Sequence, residues 1–496
     1  MDSCFQHIPL GSSLPLGNPH AVSVSFPKLQ DVIGYEENNP DTISQLKNGY
    51  PRFFKNHLVE QLEKEIRKEF DFNEKKIIFP ITSLKAKEIL ENIFNEKFDY
   101  VEFEDVCFLL FNKGHAHLEQ IQKMIQHMGA IISSRQAEKL LFERGILTHL
   151  FEEEKSKANH PEEEIKNILA EAYTAEKDPI FLTNTGTNAV YSAIEALSQI
   201  QKKEGKTINV QLGWLYLDTI EIIQKRSEES FVFVNIHQKE QFENWLAENH
   251  KKVANIIAET VSNPLLQCLD VVWLSALCQK YQIGLILDNT MATPYCAEVM
   301  PYCDVVVESL TKFACGHGDV MMGALIINSG SVYKDALIEK VQDTILPSYI
   351  EDSKRLAFEI QGYASRMQKI SENTSAMFDY LKNQDFIGKI HSVYEEDSWQ
   401  NFQKIRKNNN HIGLLSIEFK KPFEDCYNTL NFAKGPSLGT EFTLSMPYTY
   451  LAHYHLLQSE AGRDYLKEIG LPKDLLRISV GTEPIECLIA EFEKLK

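Results

Sequence analysis

Several polar residues that could do chemistry follow closely on apolar runs of the chain. They are Asp288 after residues 285–287, Lys312 after 305–307, Gly186 and Thr187 after 180–182, and Glu259 and Asn263 after 256–258. In an open parallel sheet, ligands bind beyond the carboxyl ends of the strands. We therefore expect these side chains to lie at one edge of a sheet and to share one site.

Each of these residues also has a common structural explanation. An aspartate at the end of a strand usually caps a turn, and a lysine there is usually solvated. A glycine between a strand and a helix is usually present for its backbone freedom. The combination is more informative, because an amine, a carboxylate and a helix start with hydroxyl groups meet the needs of a single cofactor.

That cofactor is pyridoxal 5′-phosphate (PLP). PLP requires a lysine amine that bonds to its aldehyde carbon and a carboxylate that faces its pyridinium nitrogen. Its phosphate requires a helix N-terminus and hydroxyl donors. An aspartate of ordinary pKa, about 4, is ionised at neutral pH and favours a protonated ring nitrogen. The residues predicted to bind PLP are Lys312, Asp288, Gly186, Thr187, Ser309 and Thr311.

The apolar pattern predicts the elements that position these residues. Between residues 180 and 327, strand-like runs alternate with helical patterns, which is typical of parallel strands joined by crossover helices. A second mixed segment has strand-like runs at 412–419 and 475–480. The sequence therefore predicts an α/β fold with a mostly parallel central sheet and a smaller C-terminal α/β domain.

We place the domain boundaries where the composition changes. The first fifty residues are rich in Pro, Gly, Ser and Asn, which predicts an extended arm. The helix predicted next carries apolar residues every four positions, at Leu58, Leu62, Ile66 and Phe70. The predicted units are an arm (1–60), a mixed α/β segment (61–178), a PLP-binding large domain (179–345) and a C-terminal small domain (346–496).

The composition excludes several classes of protein. A net charge of −19 argues against a nucleic-acid groove and against binding to an anionic membrane. The sequence shows neither an apolar stretch long enough for a membrane helix nor a secretory signal. The nine cysteines are scattered without a C-x-x-C pair, which predicts reduced thiols in a cytoplasmic protein and no metal site.

Longer motifs surround the candidate residues. Those around the site are Leu287-Asp288-Asn289-Thr290-Met291-Ala292-Thr293-Pro294, Glu308-Ser309-Leu310-Thr311-Lys312, Gly316-His317-Gly318-Asp319, Ser437-Leu438-Gly439 and Leu476-Arg477-Ile478-Ser479-Val480-Gly481. With them, the chain resembles the cystathionine γ-synthase family of PLP enzymes in cysteine and methionine metabolism. Gly49-Tyr50-Pro51-Arg52-Phe53-Phe54 and Leu451-Ala452-His453-Tyr454 extend the resemblance to the long fungal synthases. The resemblance implies a PLP-dependent transferase of fold type I, aspartate aminotransferase-like.

The resemblance also implies roles for single residues. Tyr50 and Arg52 match a Tyr-x-Arg pair that reaches the cofactor phosphate of a neighbouring subunit, which implies a homodimer or homotetramer. Tyr216 is implied to stack on the cofactor ring as a catalytic residue, and Asn263 to bind the ring hydroxyl. Arg477 is implied to bind the substrate carboxylate through a planar, two-pronged contact. The predicted substrate-binding residues are Arg477, Ser437 and Glu259.

The chain departs from the family pattern in three places. Residues of about 75 to 178 form an insertion relative to the short enzymes, and Thr187 replaces the usual methionine. A glutamate that helps choose between reactions in the short enzymes is represented here by Phe442, and Glu441 lies one place early. In a strand, a shift by one residue turns a side chain to the other face, so this role is not transferred to Glu441.

The resemblance implies γ-replacement, in which O-acyl-homoserine and cysteine give cystathionine during transsulfuration and methionine biosynthesis. Lys312 would act as the general base and acid. A cystathionine or methionine γ-lyase and an O-acylhomoserine sulfhydrylase of the same family remain open. An aminotransferase and a PLP-binding protein without catalysis are more distant alternatives. Small amino acids are the expected partners, with no nucleic acid and no membrane.

Overall fold

The start of the chain is an arm that packs on the C-terminal half of the same chain. The computed structural model describes residues 4–51, 54–73, 75–104 and 106–496. The elements of the arm are β1 (Ser13–Leu14), β2 (Ser23–Val24), α1 (Leu29–Glu36) and α2 (Pro40–Ile43). The Phe26 amide donates to the Lys434 carbonyl at 2.8 Å, and the Tyr427 hydroxyl donates to the Phe26 carbonyl at 2.7 Å. These bonds hold the arm along the small domain.

A disulfide also ties the arm to the C-terminus, which corrects the prediction that all nine cysteines are reduced. Cys4 and Cys487 are bonded to each other with their Cα atoms 5.6 Å apart. They are 483 positions apart in sequence, so their spacing could not predict the pairing. The other seven cysteines are free and buried.

The next segment, from α3 to α7, forms a small α/β unit, which we call the inserted unit because most of it was predicted to be an insertion relative to the short enzymes. Its elements are α3 (His57–Glu69), β3 (Lys76–Ile81), α4 (Leu84–Phe94), β4 (Asp99–Phe103), β5 (Val106–Asn112), α5 (Leu118–His127), α6 (Ser134–Glu143) and α7 (Pro161–Tyr173). The strands form an antiparallel sheet in the order β3-β5-β4. Leu58, Leu62 and Ile66 of α3 are buried as their spacing predicts, whereas Phe70 follows the helix and is exposed.

The large domain shows the predicted alternation of strands and helices. Its elements are β6 (Ile180–Thr183), α8 (Gly186–Lys202), β7 (Ile208–Leu212), α9 (Leu217–Arg226), β8 (Glu229–Phe233), α10 (Lys239–Asn249), β9 (Val253–Glu259), α11 (Val271–Tyr281), β10 (Gly284–Asp288), α12 (Thr293–Cys296), β11 (Val305–Ser309), β12 (Gly323–Ile327) and α13 (Lys334–Val341). The sheet order is β6-β12-β11-β10-β9-β7-β8. Only β12 runs antiparallel to its neighbours within this sheet, which confirms the mostly parallel arrangement.

The small domain contains a second sheet that is mainly antiparallel. Its elements are α14 (Ile350–Glu359), α15 (Tyr363–Leu381), β13 (Ile387–His391), α16 (Glu396–Gln403), β14 (Leu414–Phe419), α17 (Phe423–Thr429), β15 (Ala433–Lys434), β16 (Leu444–Pro447), α18 (Tyr448–Ala452), α19 (Tyr454–Leu457), α20 (Glu460–Glu468), β17 (Leu476–Ser479) and α21 (Ile485–Glu493). Its strand order is β13-β14-β17-β16-β15. The fold is thus α/β, as predicted.

The inserted unit and the large domain share one hydrophobic core. Ile121 and Met124 of α5 belong to the same buried cluster as Ala189 and Ile194 of α8. Burial of apolar side chains is the main favourable term in folding, so this shared core fixes the inserted unit against the sheet. Among the helices of the described residues, none combines the length and apolar character needed to span a bilayer.

Candidate active site

The carboxyl ends of three neighbouring strands bring the predicted residues together. Asp288 ends β10, where its Cα is paired with those of Glu259 at the end of β9 and Val307 of β11. Ser309 ends β11, and Lys312 follows three residues later. This is the edge at which open parallel sheets bind their ligands.

The start of α8 and the end of β11 lie against each other and form a candidate phosphate site, which we call the cradle. A Cβ atom on Gly186 would lie 2.7 Å from the Ser309 Cβ and 2.8 Å from its Oγ, so a larger residue would clash with Ser309 and separate the two elements. The first N–H groups of a helix have no partner within the helix and favour an anion. The amides of Gly186 and Thr187 and the hydroxyl of Ser309 could therefore hold the phosphate.

Thr290 forms hydrogen bonds with Asp288 at the end of β10 and with Ser309 at the end of β11. Its hydroxyl accepts a hydrogen bond from the Ser309 amide at 2.8 Å, and its own amide donates to Asp288 Oδ1 at 2.9 Å. Thr311 was predicted to offer a hydroxyl to the phosphate. In the structure the Thr311 hydroxyl is buried against the backbone of Met322, whose amide donates to it at 3.1 Å, so Ser309 is the better-placed donor.

Lys312 is buried and its amine lies between two hydroxyl groups. Its Nζ is 2.9 Å from the Ser437 Oγ and 3.2 Å from the Tyr50 hydroxyl. It also lies 4.4 Å from the centre of the Tyr50 ring. Tyr50 thus reaches the lysine of its own chain, while the contact of the arm with a neighbouring subunit stays a prediction. Arg52 lies outside the described residues.

Asp288 is the carboxylate that could face a pyridinium nitrogen. Burial raises the pKa of Asp288 above its ordinary value, although the hydrogen bonds from Thr290 oppose the shift. A cation beside a buried carboxylate favours its ionised form. A protonated ring nitrogen would supply that cation, and the site therefore fits the cofactor predicted from the sequence.

Glu259 holds two backbone segments at the rim of the site. Its carboxylate accepts hydrogen bonds from the amides of Tyr216 at 2.7 Å and Asn263 at 3.2 Å. Burial, with the neighbouring charge of Asp288, raises the pKa of Glu259 well above its ordinary value. In the structure Glu259 binds the backbone amides of Tyr216 and Asn263, and its contact with substrate stays a prediction.

Arg477, in the middle of β17, is a buried cation with spare hydrogen-bonding capacity. Its Nη1 donates to Asn263 Oδ1 at 3.2 Å, and its Nη2 donates to the Ser437 carbonyl. Its Nε is buried with no hydrogen-bond partner within the described residues. Burial lowers the pKa of Arg477 to about 10, so the side chain still carries its charge at neutral pH. A substrate carboxylate would satisfy this group.

Comparison with known proteins agrees with this geometry. The family model described as Cys/Met metabolism PLP-dependent enzyme matches residues 156–495. The chain belongs to this family. Its cofactor is therefore PLP, as the sequence and the cradle predict.

Two curated relatives show how far the similarity extends. The L-2-amino-4-chloropent-4-enoate dechlorinase/desaturase of Streptantibioticus cattleyicolor is 33% identical over 480 residues, which covers 96% of this chain and 95% of that protein. The cystathionine γ-synthase of Neurospora crassa is 31% identical over 326 residues, or 64% of this chain and 52% of that one. Because the first match covers 96% of this chain, it includes most of residues 61–178.

A solved member supports the fold of the PLP domains. The cystathionine γ-synthase of Xanthomonas oryzae, in complex with aminoacrylate and cysteine, superposes with a TM-score of 0.58 at 19% identity. The match covers 68% of this chain and 85% of that chain. It confirms the fold predicted from the alternation of strands and helices.

A buried cluster behind the PLP site was not predicted from the sequence. Glu308 accepts hydrogen bonds from the hydroxyls of Tyr173, in α7, and Tyr363, the latter at 2.7 Å. Burial raises the pKa of Glu308 to about 7. The available signal was a glutamate directly after the apolar residues 305–307, but its tyrosine partners are distant in sequence.

Glu441, to which no specificity role was transferred, forms contacts with His317 and Arg366. Its carboxylate lies 3.2 Å from His317 Nδ1 and 4.0 Å from Arg366 Nε. The hydrogen bond with His317 and the charge of Arg366 hold the pKa of Glu441 below its ordinary value, against the effect of burial. Glu441 thus braces the chain that follows the lysine.

Proposed function

We propose that this protein catalyses the PLP-dependent loss or replacement of a substituent on the γ-carbon of an α-amino acid. The main support for the proposal is the position of Ser437, which contacts both Lys312 and Arg477. Such a substrate needs an amine near its α-carbon and a cation for its carboxylate. Its hydroxyl lies 2.9 Å from Lys312 Nζ, and its carbonyl accepts a hydrogen bond from Arg477. A carboxylate held by Arg477 would place the substrate α-carbon next to the lysine amine.

Bound PLP supplies the electron sink that makes the protons on the substrate α- and β-carbons acidic enough to be removed. Lys312 Nζ is placed to take a proton from one carbon and return it to another. Ser437 and Tyr50 orient this amine, because their hydroxyls lie 2.9 and 3.2 Å from it. Asp288 would hold the proton on the ring nitrogen, and the cradle at Gly186 would hold the phosphate.

The first candidate reaction is replacement of the γ-substituent by a thiol. It corresponds to a cystathionine γ-synthase, which joins an O-acyl-homoserine to cysteine, and the relative from Neurospora crassa supports it. A sulfhydrylase would use sulfide in the same position, and a γ-lyase would release the substituent without replacement. All three need the same lysine, carboxylate and arginine.

Loss of chloride is a second candidate, which the full-length match favours. The Streptantibioticus cattleyicolor relative is similar to this chain over 96% of its residues, including most of the inserted unit. The compound in its name carries chlorine on the γ-carbon of an α-amino acid. Departure of chloride from that carbon needs the same groups as departure of an acyloxy group.

A product assay across γ-substituted amino acids tests both candidates. The holoenzyme is incubated with O-acetyl-, O-succinyl- or O-phospho-homoserine, with and without cysteine or sulfide, and separately with cystathionine and with L-2-amino-4-chloropent-4-enoate. Cystathionine in the cysteine reactions supports the synthase, and chloride release supports the dechlorinase. Cleavage of cystathionine without its formation assigns a lyase. Failure with all of these compounds, or steady keto-acid production from a simple amino donor, would contradict the proposal.

We further propose that the enzyme is a homodimer or homotetramer in the cytoplasm, with a role in transsulfuration or methionine biosynthesis. The oligomer is supported by the Tyr50 and Arg52 motif, which in the family reaches a neighbouring cofactor. Sedimentation of the active holoenzyme tests this. A catalytically competent monomer would contradict it.

A further inference from the structure

Lys312, the proposed PLP lysine, is the first residue of a short loop that several hydrogen bonds hold in place. We call residues 312–319 the lysine loop. Within it, the Gly316 amide donates to the Lys312 carbonyl at 2.9 Å, and Arg366 donates to the Phe313 carbonyl at 2.9 Å. The loop ends at Asp319, whose side chain is fully buried.

The inserted unit contacts the end of this loop through Arg135. Arg135, in α6, donates from Nη1 to the Asp319 carbonyl at 2.7 Å, and its Nη2 lies 3.6 Å from Asp319 Oδ2. The two residues are 184 positions apart in sequence, and Arg135 is 3% exposed. A buried arginine is costly unless its charge and its donors are satisfied, so this contact is a specific one.

Acidic residues on two sides fix the orientation of Arg135. Glu153 receives two parallel hydrogen bonds from Nε and Nη2, both 2.7 Å long, and Asp352 receives one from Nη1 at 3.0 Å. Burial opposes the ionisation of Glu153, but its hydrogen bonds with Arg135 lower its pKa to about 2. The guanidinium is thus clamped by Glu153 and presents its remaining edge to Asp319.

A second arginine completes the clamp from the small domain. Arg355, in α14, donates from Nε to Asp319 Oδ2 at 3.2 Å and from Nη1 to the Glu154 carbonyl at 2.8 Å. Residues 153 and 154 therefore connect both arginines, and Asp319 receives both. The inserted unit, the small domain and the lysine loop meet in this cluster.

We infer that Arg135 is a positioning residue for Lys312: by holding Asp319, the inserted unit sets where the lysine amine stands relative to Asp288 and the cradle. The inference rests on the assignment of Lys312 as the PLP lysine in the proposed function. A purely structural ion cluster would stabilise the fold equally well but would leave the environment of the lysine unchanged. The two cases can be separated by measuring the lysine as well as the stability.

Three substitutions test the inference in the full-length holoenzyme. Arg135→Lys keeps the charge but cannot bridge Glu153 and Asp319, and Arg135→Met removes the charge. Lys87→Met is the matched control, because Lys87 forms a buried ion pair with Glu91 at 2.7 Å within the inserted unit and has no described contact with the lysine loop. The measurements are the pH titration of the visible band of lysine-bound PLP, kcat, KM, the thermal midpoint, and amide hydrogen exchange of residues 312–319.

For both Arg135 variants we expect a displaced band titration, faster exchange in the lysine loop, and a kcat lower by about a hundredfold, because an ångström of misplacement costs about that much. KM changes little, since Arg477 still binds the carboxylate. Lys87→Met lowers only the thermal midpoint. Band titration and loop exchange at wild-type values in Arg135→Lys, with a lowered midpoint, would overturn the inference.

If Arg135→Met does not fold, Glu153→Gln provides the second variant. It leaves Arg135 in place and removes the charge that orients it. We expect a smaller displacement of the band titration in the same direction as for Arg135→Lys, and a wild-type titration in both would overturn the inference. Neither the pH titration of the visible PLP band nor the amide hydrogen exchange needs a substrate. Both measurements therefore test the inference even if the proposed substrate is wrong.

Discussion

Two regions of the chain contribute to the surroundings of Lys312 in different ways. In the large domain, Asp288 and Ser309 end adjacent parallel strands and Lys312 follows the second of them, so the sheet brings these residues together over a short stretch of sequence. In the inserted unit, Arg135 reaches Asp319 across 184 positions through buried charges. The proposed reacting groups lie at strand ends, whereas we infer that their alignment depends on a segment that contains none of them.

The largest effect is expected from removal of the lysine itself. If Lys312 anchors PLP and carries the proton, as proposed, Lys312→Ala loses the visible absorption of lysine-bound PLP and about 10⁴-fold in kcat. Lys334→Ala is the control, since Lys334 only pairs with Glu176 at the surface at 3.0 Å. Absorption spectra and steady-state kinetics measure both variants. Full activity of Lys312→Ala would show that the strand ends do not carry the chemistry.

The next effect is expected at the carboxylate on the neighbouring strand. Asp288→Asn keeps PLP bound but removes the charge that holds a proton on the ring nitrogen, and we expect kcat to fall by about a hundredfold. Asp304→Asn is a matched control, because Asp304 accepts the Leu285 amide at 2.8 Å at the opposite end of the same strands. Equal losses in the two variants would indicate a general effect on the sheet.

A smaller effect is expected at the arginine that would bind the carboxylate. Arg477→Lys keeps a positive charge but loses the planar, two-pronged contact, so we expect kcat/KM to fall by about 10- to 100-fold, mainly through KM. Arg463→Lys is the control, since Arg463 is exposed and donates to the Leu457 carbonyl at 2.8 Å. A loss in kcat with KM unchanged would argue against Arg477 as the carboxylate site.

The last prediction concerns stability and tests how α7 is joined to the sheet of the large domain. Glu308 joins the sheet to Tyr173 of α7, and burial raises its pKa from 4.5 to about 7. A carboxyl whose pKa is higher in the folded state stabilises below pH 4.5, and this contribution is lost as the pH rises through 7. Relative to Glu308→Gln, the wild type loses about 2–3 kcal/mol of unfolding free energy between pH 5 and 8.

Urea unfolding at a series of pH values measures this difference. Glu298→Gln, at an exposed glutamate of the same domain, provides the reference for surface charge. If the wild type and Glu308→Gln show parallel pH profiles, the buried cluster does not link α7 to the sheet through an ionisable group.

The sequence predicted those features that depend on neighbouring residues. The apolar runs ending at Asp288 and before Lys312 were sufficient for the strands, the shared edge and PLP, because period and polarity are local properties. The same reasoning predicted that the Thr311 hydroxyl would donate to the phosphate, and in the structure this hydroxyl accepts a hydrogen bond from the Met322 amide. Whether Ser309 or Thr311 can reach the phosphate depends on how the strands pair. One apolar run in the sequence does not reveal that pairing.

Contacts between distant segments could not be predicted. The pairing of Cys4 with Cys487, the approach of Arg135 to Asp319 and the tyrosines around Glu308 all join residues more than 50 positions apart. Each depends on how whole units pack. The resemblance to a family supplied roles for Tyr216 and Arg477 that their local surroundings would not have suggested.

The most direct measurement of the central claim is the location of PLP on the chain. The holoenzyme is reduced with borohydride, which fixes PLP to the amine that holds it, and is then digested and mapped by mass spectrometry. We expect the phosphopyridoxyl group on the peptide that contains Lys312. The same group on any other lysine, with Lys312 unmodified, would contradict the account.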